Sequence, residues 1–403
     1  MFSSVSSEVK QYLVITGNYW AFTLTDGALR MLVVLYFHQL GYNALEVASL
    51  FLFYEFFGVV TNLLGGWLGA RLGLNKTMNL GLLLQIIALS MLCLDDAYLV
   101  VWYVMLAQAL SGIAKDLNKM SAKSAIKLLV PKDKGSTLYK WVAVLTGSKN
   151  ALKGVGFFLG GILLTLYGFQ SAMMFMASAL VVIWLMSLLL LKQDLGKSSS
   201  KPKFKDLFSK SANINYLSAA RLCLFASRDV WFVVALPVFL SQQFNWSHWQ
   251  VGGFLASWVI FYGFIQGLSP KLTKLKENGS REKQAIKVAA LLALLPSGIA
   301  VSLGMFDNLL WPLLLGLILY AGIFAVNSSL HSFLIVHYAD ADGVSLDVGF
   351  YYMANAAGRL AGTLLSGWLF LQYGIISCLI VSTGLIMAAL VFTQKLHLTQ
   401  NSI

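Results

Sequence analysis

The sequence predicts an all-α integral membrane protein with twelve transmembrane helices, arranged as six, a linker and six more. Three observations predict it. Hydrophobic residues make up 58% of the 403 residues and charged residues only 11%, against roughly a quarter in a soluble domain. Apolar stretches of about 20 residues, the length that crosses a bilayer, recur from the first dozen residues to the last. The basic residues are distributed around those stretches so as to assign a side to each connection.

The spans fall near 12–38, 44–70, 75–94, 97–128, 138–166 and 170–192, then near 213–242, 248–270, 286–305, 310–338, 345–371 and 374–394. Residues 1–192 form an N-terminal six-helix half and 213–403 a C-terminal one. Between them, 193–212 reads as a flexible basic linker carrying Ser198-Ser199-Ser200. The polar start, Met1 to Gln11, lacks a basic head and a small-residue cleavage site, so the first stretch reads as a permanent span rather than a signal peptide. Of the 29 Lys and Arg, nine lie more than three residues inside a span. The others sit at the termini or around the even-numbered connections, and the odd-numbered connections hold none. Basic residues mark the cytoplasmic side, so both termini and the linker face the cytoplasm. Asp340, Asp342 and Asp347 make one inner connection acidic, but acidic residues weigh little in orientation.

Cys93, Cys223 and Cys378 fall in separate apolar stretches, with no C-x-x-C pair, and read as buried small hydrophobes. No nucleophile elbow, phosphate loop or metal-ligand cluster supports an enzyme, a metal or a cofactor. Trp20, Tyr36, Trp102, Trp246 and Trp311 suit the interface belt.

The chemistry is expected at charges that apolar helices should not carry. A Lys or Arg at the centre of a span costs roughly 2.5–3.5 kcal/mol on the insertion scale, so such residues face water and are functional by default. They are Arg30, Lys115, Lys119, Lys123, Lys149, Lys153, Arg221, Arg228 and Arg359. Only four carboxylates accompany them: Asp26, Glu55, Asp116 and Asp229. Nine cations against four acids cannot be neutralised by pairing, which calls for an anionic cargo with more than one charge. Lys115, Lys119 and Lys123 share one helix face by their four-residue spacing, as do Lys149 and Lys153. By depth, Asp26, Lys149, Arg228 and Arg359 lie near the middle and Arg30 nearer the outside. Lys119, Lys123 and Arg221 lie nearer the cytoplasm. Lys123 and Arg221 are expected to snorkel to the headgroups. The acids have a second reading as structural partners: Asp26 with Arg30, Asp116 with Lys119, and Asp229 with a neighbour. His331 is the better of the two span-10 histidines, His331 and His337, for proton handling.

Three hairpins repeat one glycine spacing. Gly66-Trp67-Leu68, Gly161-Ile162-Leu163 and Gly367-Trp368-Leu369 are each followed, seven residues after the glycine, by Gly73, Gly168 and Gly374. One hairpin faces inside and two face outside, as in three-helix units of alternating orientation. The run Gly66-Trp67-Leu68-Gly69-Ala70-Arg71-Leu72-Gly73-Leu74-Asn75-Lys76 resembles the loop signature of major facilitator transporters, with Gly66, Arg71, Gly73 and Lys76 matching and Ala70 in place of the usual aspartate. Gly156-Phe157-Phe158-Leu159-Gly160-Gly161 resembles part of an antiporter motif, with Phe157 for its proline. In that superfamily spans 1, 4, 7 and 10 line the cavity. The resemblance therefore implies substrate contacts from Arg30, Lys115, Lys119 and Arg228, with Asn327, Ser328, Ser329 and His331 supplied by span 10. Lys149, Lys153 and Arg359 complete the candidate set. Arg30 and Arg228 sit at roughly equivalent places in the two halves, suiting planar forks on an oxyanion.

A closer resemblance is carried by Asn18–Arg30 (NYWAFTLTDGALR), Gln108–Lys123 (QALSGIAKDLNKMSAK), Thr146–Gly154 (TGSKNALKG), Ala226–Pro237 (ASRDVWFVVALP) and Trp246–Gly253 (WSHWQVGG). These are similar to the organoarsenical efflux permease ArsJ family, and the likeness is weakest at the termini, the linker and 271–283. It implies a monomer in the bacterial cytoplasmic (inner) membrane that exports 1-arseno-3-phosphoglycerate. A glyceraldehyde-3-phosphate dehydrogenase makes that compound from arsenate, so the enzyme is the implied functional partner. Lipid is the other partner, and nucleic acid has no place. Two other readings stand: an organophosphate importer or phosphate exchanger built on the same charges, and a non-transporting membrane sensor on a transporter fold.

Overall fold

A computed structural model of the chain describes residues 7–42, 50–131, 134–191, 195–198, 211–246, 248–273, 280–305 and 310–401. Most of the expected linker, including Ser199 and Ser200, lies outside the described residues. Within them the chain is helical and contains no strand. Helices α1 (Ser7–Gln39), α2 (Leu52–Leu72), α3 (Leu74–Met91), α4 (Val101–Leu129), α5 (Gly135–Tyr167) and α6 (Phe169–Leu190) answer to the first six expected spans. The seventh is α7 (Ala212–Phe232) with a short continuation, α8 (Ala235–Phe244). Pro237 explains the break, because it has no N–H to give the carbonyl of Val233 and its ring crowds that carbonyl. Helices α9 (His248–Leu272), α10 (Arg281–Met305) and α11 (Leu310–Tyr338) match spans eight to ten. The last two spans are one helical run, α12 (Val344–Asn401), broken at Gly374.

Among the described residues, eight helical segments are long and apolar enough to cross a membrane by length and composition alone. Helices α2, α3 and α4 fall outside that group, but their 21, 18 and 29 residues reach about 31, 27 and 43 Å at 1.5 Å per residue, against a hydrocarbon core of about 30 Å. α4 is the helix carrying Lys115, Asp116, Lys119 and Lys123, so the cost in apolarity falls on the residues singled out for function.

The three hairpin repeats share a backbone conformation at the second glycine. Gly73 (φ 97°, ψ 151°), Gly168 (φ 75°, ψ 177°) and Gly374 (φ 76°, ψ −174°) all occupy a region open essentially to glycine alone. The N–H groups of Gly73 and Gly168 each close the preceding helix on a carbonyl four residues back, at 3.0 Å. The first glycines share no such role. Gly66 lies against Ser345 and Gly349, whereas nothing lies within 4 Å of a side chain built at Gly367.

The described chain forms two compact units. Unit 1 comprises Met1–Trp141, Ser148–Phe208 and Ala339–Met353, and unit 2 comprises Val142–Gly147, Ser209–Tyr338 and Ala354–Ile403. Each has its own apolar core. In unit 1 it includes Phe22, Leu29, Leu89, Phe169 and Met173. In unit 2 it is aromatic, built on Trp231, Trp258, Tyr262, Tyr320 and Phe324, with Trp231 edge-on to Tyr320 at 5.0 Å.

One helix crossing in each unit brings the charges together. In unit 1, α1 meets α5 backbone to backbone. A Cβ on Gly27 would lie 2.7 Å from the Lys153 carbonyl, and one on Gly156 would lie 2.7 Å from that of Leu24. In unit 2, α7 meets α12 at Gly358 and Gly362, and a Cβ on Gly362 would lie 2.7 Å from the Ala226 carbonyl and 3.0 Å from Asp229 Cβ. Small residues spaced by four let helices approach this closely. The close approach sets Lys153 beside Asp26, and Arg359 beside Asp229.

Candidate functional site

In unit 1 the charges of α1, α2, α4 and α5 converge on one aromatic ring. Tyr54, on α2 and 2% exposed, donates its hydroxyl proton to Asp26 Oδ1 at 2.7 Å. Lys115 Nζ stands over its ring at 3.9 Å and the Arg30 guanidinium at 4.8 Å. Lys153 Nζ lies 3.9 Å from the other oxygen of Asp26. Arg30 donates to Glu55 at 3.1 Å. Deeper along α4, Asp116 accepts from Lys119 at 2.6 Å, while its second oxygen lies 4.0 Å from Lys115. Gly58 of α2 lies beside this pair: a Cβ there would be 3.4 Å from Asp116 Oδ2 and 3.7 Å from Lys115 Nζ, ordinary contact distances. Lys149, half-buried on α5, joins Arg30 and Lys115 in repelling the charge of Lys153.

Two expectations change here. Asp26 does not pair with Arg30 one turn away; it pairs with Lys153, and Arg30 turns to Glu55 on another helix. Lys123 does not reach the headgroups. It is 3% exposed, donates to the Tyr352 hydroxyl, and shares that ring with Lys119 at 4.7 and 4.8 Å.

Unit 2 gathers its charges differently. Asp229, fully buried on α7, accepts from Arg228 Nε at 2.6 Å on one oxygen and from Arg359 Nε at 3.2 Å on the other. The Arg228 guanidinium is walled by Phe225 at 4.9 Å, Phe324 at 5.7 Å and Phe232 at 5.9 Å. Arg221, also expected to snorkel, is 3% exposed. It donates to Asn355 Oδ1 at 2.9 Å and to the carbonyl and hydroxyl of Ser328 at 3.1 and 3.0 Å, and lies over Phe225 at 4.0 Å. Tyr262 and Gln266 of α9 donate to the same Ser328 hydroxyl. Asn327 and His331 are buried on α11. Among the described residues, neither amide atom of Asn327 finds a hydrogen-bond partner, nor does His331 Nδ1. Among the described residues, no hydrogen bond joins Asn327 or His331 to Arg228, Asp229 or Arg359.

The signature loop lies apart from these charges. Arg71 covers Trp67 at 5.0 Å, and Lys76 is exposed at the start of α3. Ser345 donates to the Gly66 carbonyl at 2.7 Å. Ala70, where the aspartate is missing, is fully buried. Its carbonyl accepts from Ser198 N–H at 2.8 Å, and Leu74 N–H donates to the Leu195 carbonyl at 2.7 Å. Backbone contacts, not a carboxylate, thus occupy this junction.

A family model, the Major Facilitator Superfamily, matches residues 15–333. The chain belongs to that superfamily. Solved structures agree on the fold. The human organic anion transporter MFSD10 (TETRAN) superposes with a TM-score of 0.75 at 18% identity, covering 96% of this chain and 100% of its own. A bacterial homologue of the iron transporter ferroportin, in an outward-facing state, gives 0.74 at 14% identity over 98% and 100%. The Escherichia coli fucose:proton symporter FucP gives 0.73 at 10% identity over 97% and 99%. No curated protein is recognisably similar in sequence. The chain is therefore a multi-pass membrane transporter of the major facilitator fold, a class of carriers for small organic substrates rather than of enzymes.

The residues missed by sequence reasoning include the aromatic ones, Tyr54, Tyr352, Phe225 and Phe324, and the polar Asn355 and Gln266. Tyr54 sits in Phe51-Leu52-Phe53-Tyr54-Glu55-Phe56-Phe57, a run that reads as lipid-facing. The available signal was the carboxylate within it, because Glu55 obliges at least one side of that turn to face charge.

Proposed function

We propose that this chain is an efflux transporter of the bacterial inner membrane that exports 1-arseno-3-phosphoglycerate and so confers arsenate resistance. The observation that carries the reading is the excess of cations in apolar helices. Arg30, Lys115, Lys119, Lys149 and Lys153 cluster in unit 1, and Arg228 and Arg359 in unit 2, around fewer carboxylates. Each group suits an oxyanion, and the cargo carries two such groups, an arsenate and a phosphate. The close sequence resemblance to the organoarsenical permeases supplies arsenate over phosphate chemistry. A glyceraldehyde-3-phosphate dehydrogenase would make the cargo. In this reading Asn327 contacts it through neutral hydrogen bonds, the acids hold the cations as ion-pair partners, and Gly66, Arg71, Gly73 and Lys76 shape the inner gate.

The membrane potential, negative inside, favours outward movement by about 2.3 kcal/mol per negative charge per 100 mV. Export of a cargo with two or three charges then needs no stoichiometric proton exchange, provided the return of the empty carrier does not cancel the gain. The test uses inverted vesicles supplied with the dehydrogenase, its substrates and arsenate. Arsenic should accumulate inside when the lumen is positive, and Arg30→Gln or Arg228→Gln should abolish this without lowering the protein level. Uphill accumulation driven by a pH gradient at zero potential would refute potential-driven export. Uptake of glycerol phosphate with no arsenic movement would assign the chain to organophosphate import or exchange.

A further inference from the structure

We infer that Asp229 is a resident counter-ion, which holds the unit 2 arginines between transport events and which the cargo must displace. The inference rests on the reading that these arginines bind an anion. Asp229 presents its two oxygens separately, Oδ1 to Arg228 at 2.5–2.6 Å and Oδ2 to Arg359 at 3.2 Å. That is the grip the same two forks would take on two oxygens of a phosphate or an arsenate. The carboxylate cannot leave: it is fully buried, and the Gly362 crossing packs against its Cβ. The arginines are more open, with 35% of the Arg359 side chain and 15% of the Arg228 side chain exposed. An anion therefore arrives on the exposed side of the guanidiniums and competes with Asp229 for their N–H groups.

The competition sets a charge threshold. A monoanion exchanges one negative charge for an equal one and gains nothing. A dianion interacts about twice as strongly at the same distance and wins. Once the cargo has gone, Asp229 recaptures both arginines, which keeps release fast. Unit 1 holds a parallel arrangement: Asp116, 1% exposed, divides its two oxygens between Lys119 and Lys115.

The experiment measures equilibrium binding of inorganic phosphate and of acetate to the purified full-length chain in nanodiscs. Wild type should bind phosphate and not acetate. Asp229→Asn removes the competing negative charge, so it should bind phosphate about tenfold more tightly, by removing the occupied fraction from the apparent affinity. It should also gain acetate binding and export more slowly. Unchanged selectivity or weaker phosphate binding in a variant that unfolds at the wild-type temperature would overturn the counter-ion role alone. A wild-type chain that binds neither anion would overturn the proposed function as well. Should Asp229→Asn fail to fold, Asp116→Asn carries the same expectation for unit 1, and its failure to gain acetate binding would count against the inference.

Discussion

Unit 1 and unit 2 solve the same problem, holding cations inside apolar helices, by different physical means. Unit 1 uses mostly lysines and spreads three carboxylates among them: Asp26, Glu55 and Asp116. Tyr54 ties the set together with its hydroxyl and its ring. Unit 2 uses arginines, gives two of them a single carboxylate, and walls Arg228 with three phenylalanine rings. A lysine is a mobile point charge, whereas an arginine is a rigid planar fork that also stacks on aromatic faces. Unit 1 is therefore an adaptable field of charge and unit 2 an oriented grip. A cation over an aromatic ring in a desolvated site contributes about 2 kcal/mol, comparable with the insertion cost of the cation itself. That makes the aromatic walls necessary rather than incidental.

The largest expected effect breaks both units at the same structural point. Gly156→Leu and Gly362→Leu put side chains where even a Cβ would sit 2.7 Å from a carbonyl, so each should separate its helix pair and abolish folded protein, read by size exclusion in detergent. Recovery of well-folded, active Gly362→Leu would show that Arg359 does not depend on that crossing to reach Asp229. Next, charge-conserving exchange should separate the two modes of grip. Arg228→Lys loses the fork and should lower export roughly a hundredfold, about 2.7 kcal/mol, whereas Lys115→Arg keeps its charge over Tyr54 and should stay within a few-fold of wild type. Equal losses in both would dissolve the distinction between field and fork.

A smaller effect is expected at Tyr54. Tyr54→Phe keeps the ring under Lys115 and Arg30 and loses only the bond to Asp26, so the apparent KM for the anion should rise about threefold. Tyr54→Leu loses the ring too and should raise it about tenfold, consistent with one to two kcal/mol of cation–ring attraction. Indistinguishable variants would mean the ring face contributes nothing. The smallest effect concerns the repeated hairpins. Gly374→Ala forces an alanine into glycine-only backbone and should destabilise by about 1–3 kcal/mol. Gly367→Ala, seven residues earlier in the same repeat, has open space and should leave the melting temperature unchanged or slightly raised.

By itself the sequence determined the membrane class, the helical register and the existence of an interior charge problem. Lipid offers no water to backbone groups, so helices are the economical way for this chain to cross, and the length of each apolar run fixes where it does. The glycine repeat was legible too, because φ near +75° to +97° leaves little choice of residue. The pairing of the charges was not legible. Spacing suggested Asp26 with Arg30, but the α1–α5 glycine crossing places Lys153 closer, and Glu55 reaches Arg30 from α2. Depth suggested that Lys123 and Arg221 would reach for headgroups, yet Tyr352 in one unit and Ser328 with Asn355 in the other receive them inside the protein. Helical periodicity says which face a residue occupies and says nothing about which neighbouring helix that face meets. Only the tertiary structure decides that, because the choice rests on how closely two backbones approach at a few glycines far apart in the chain.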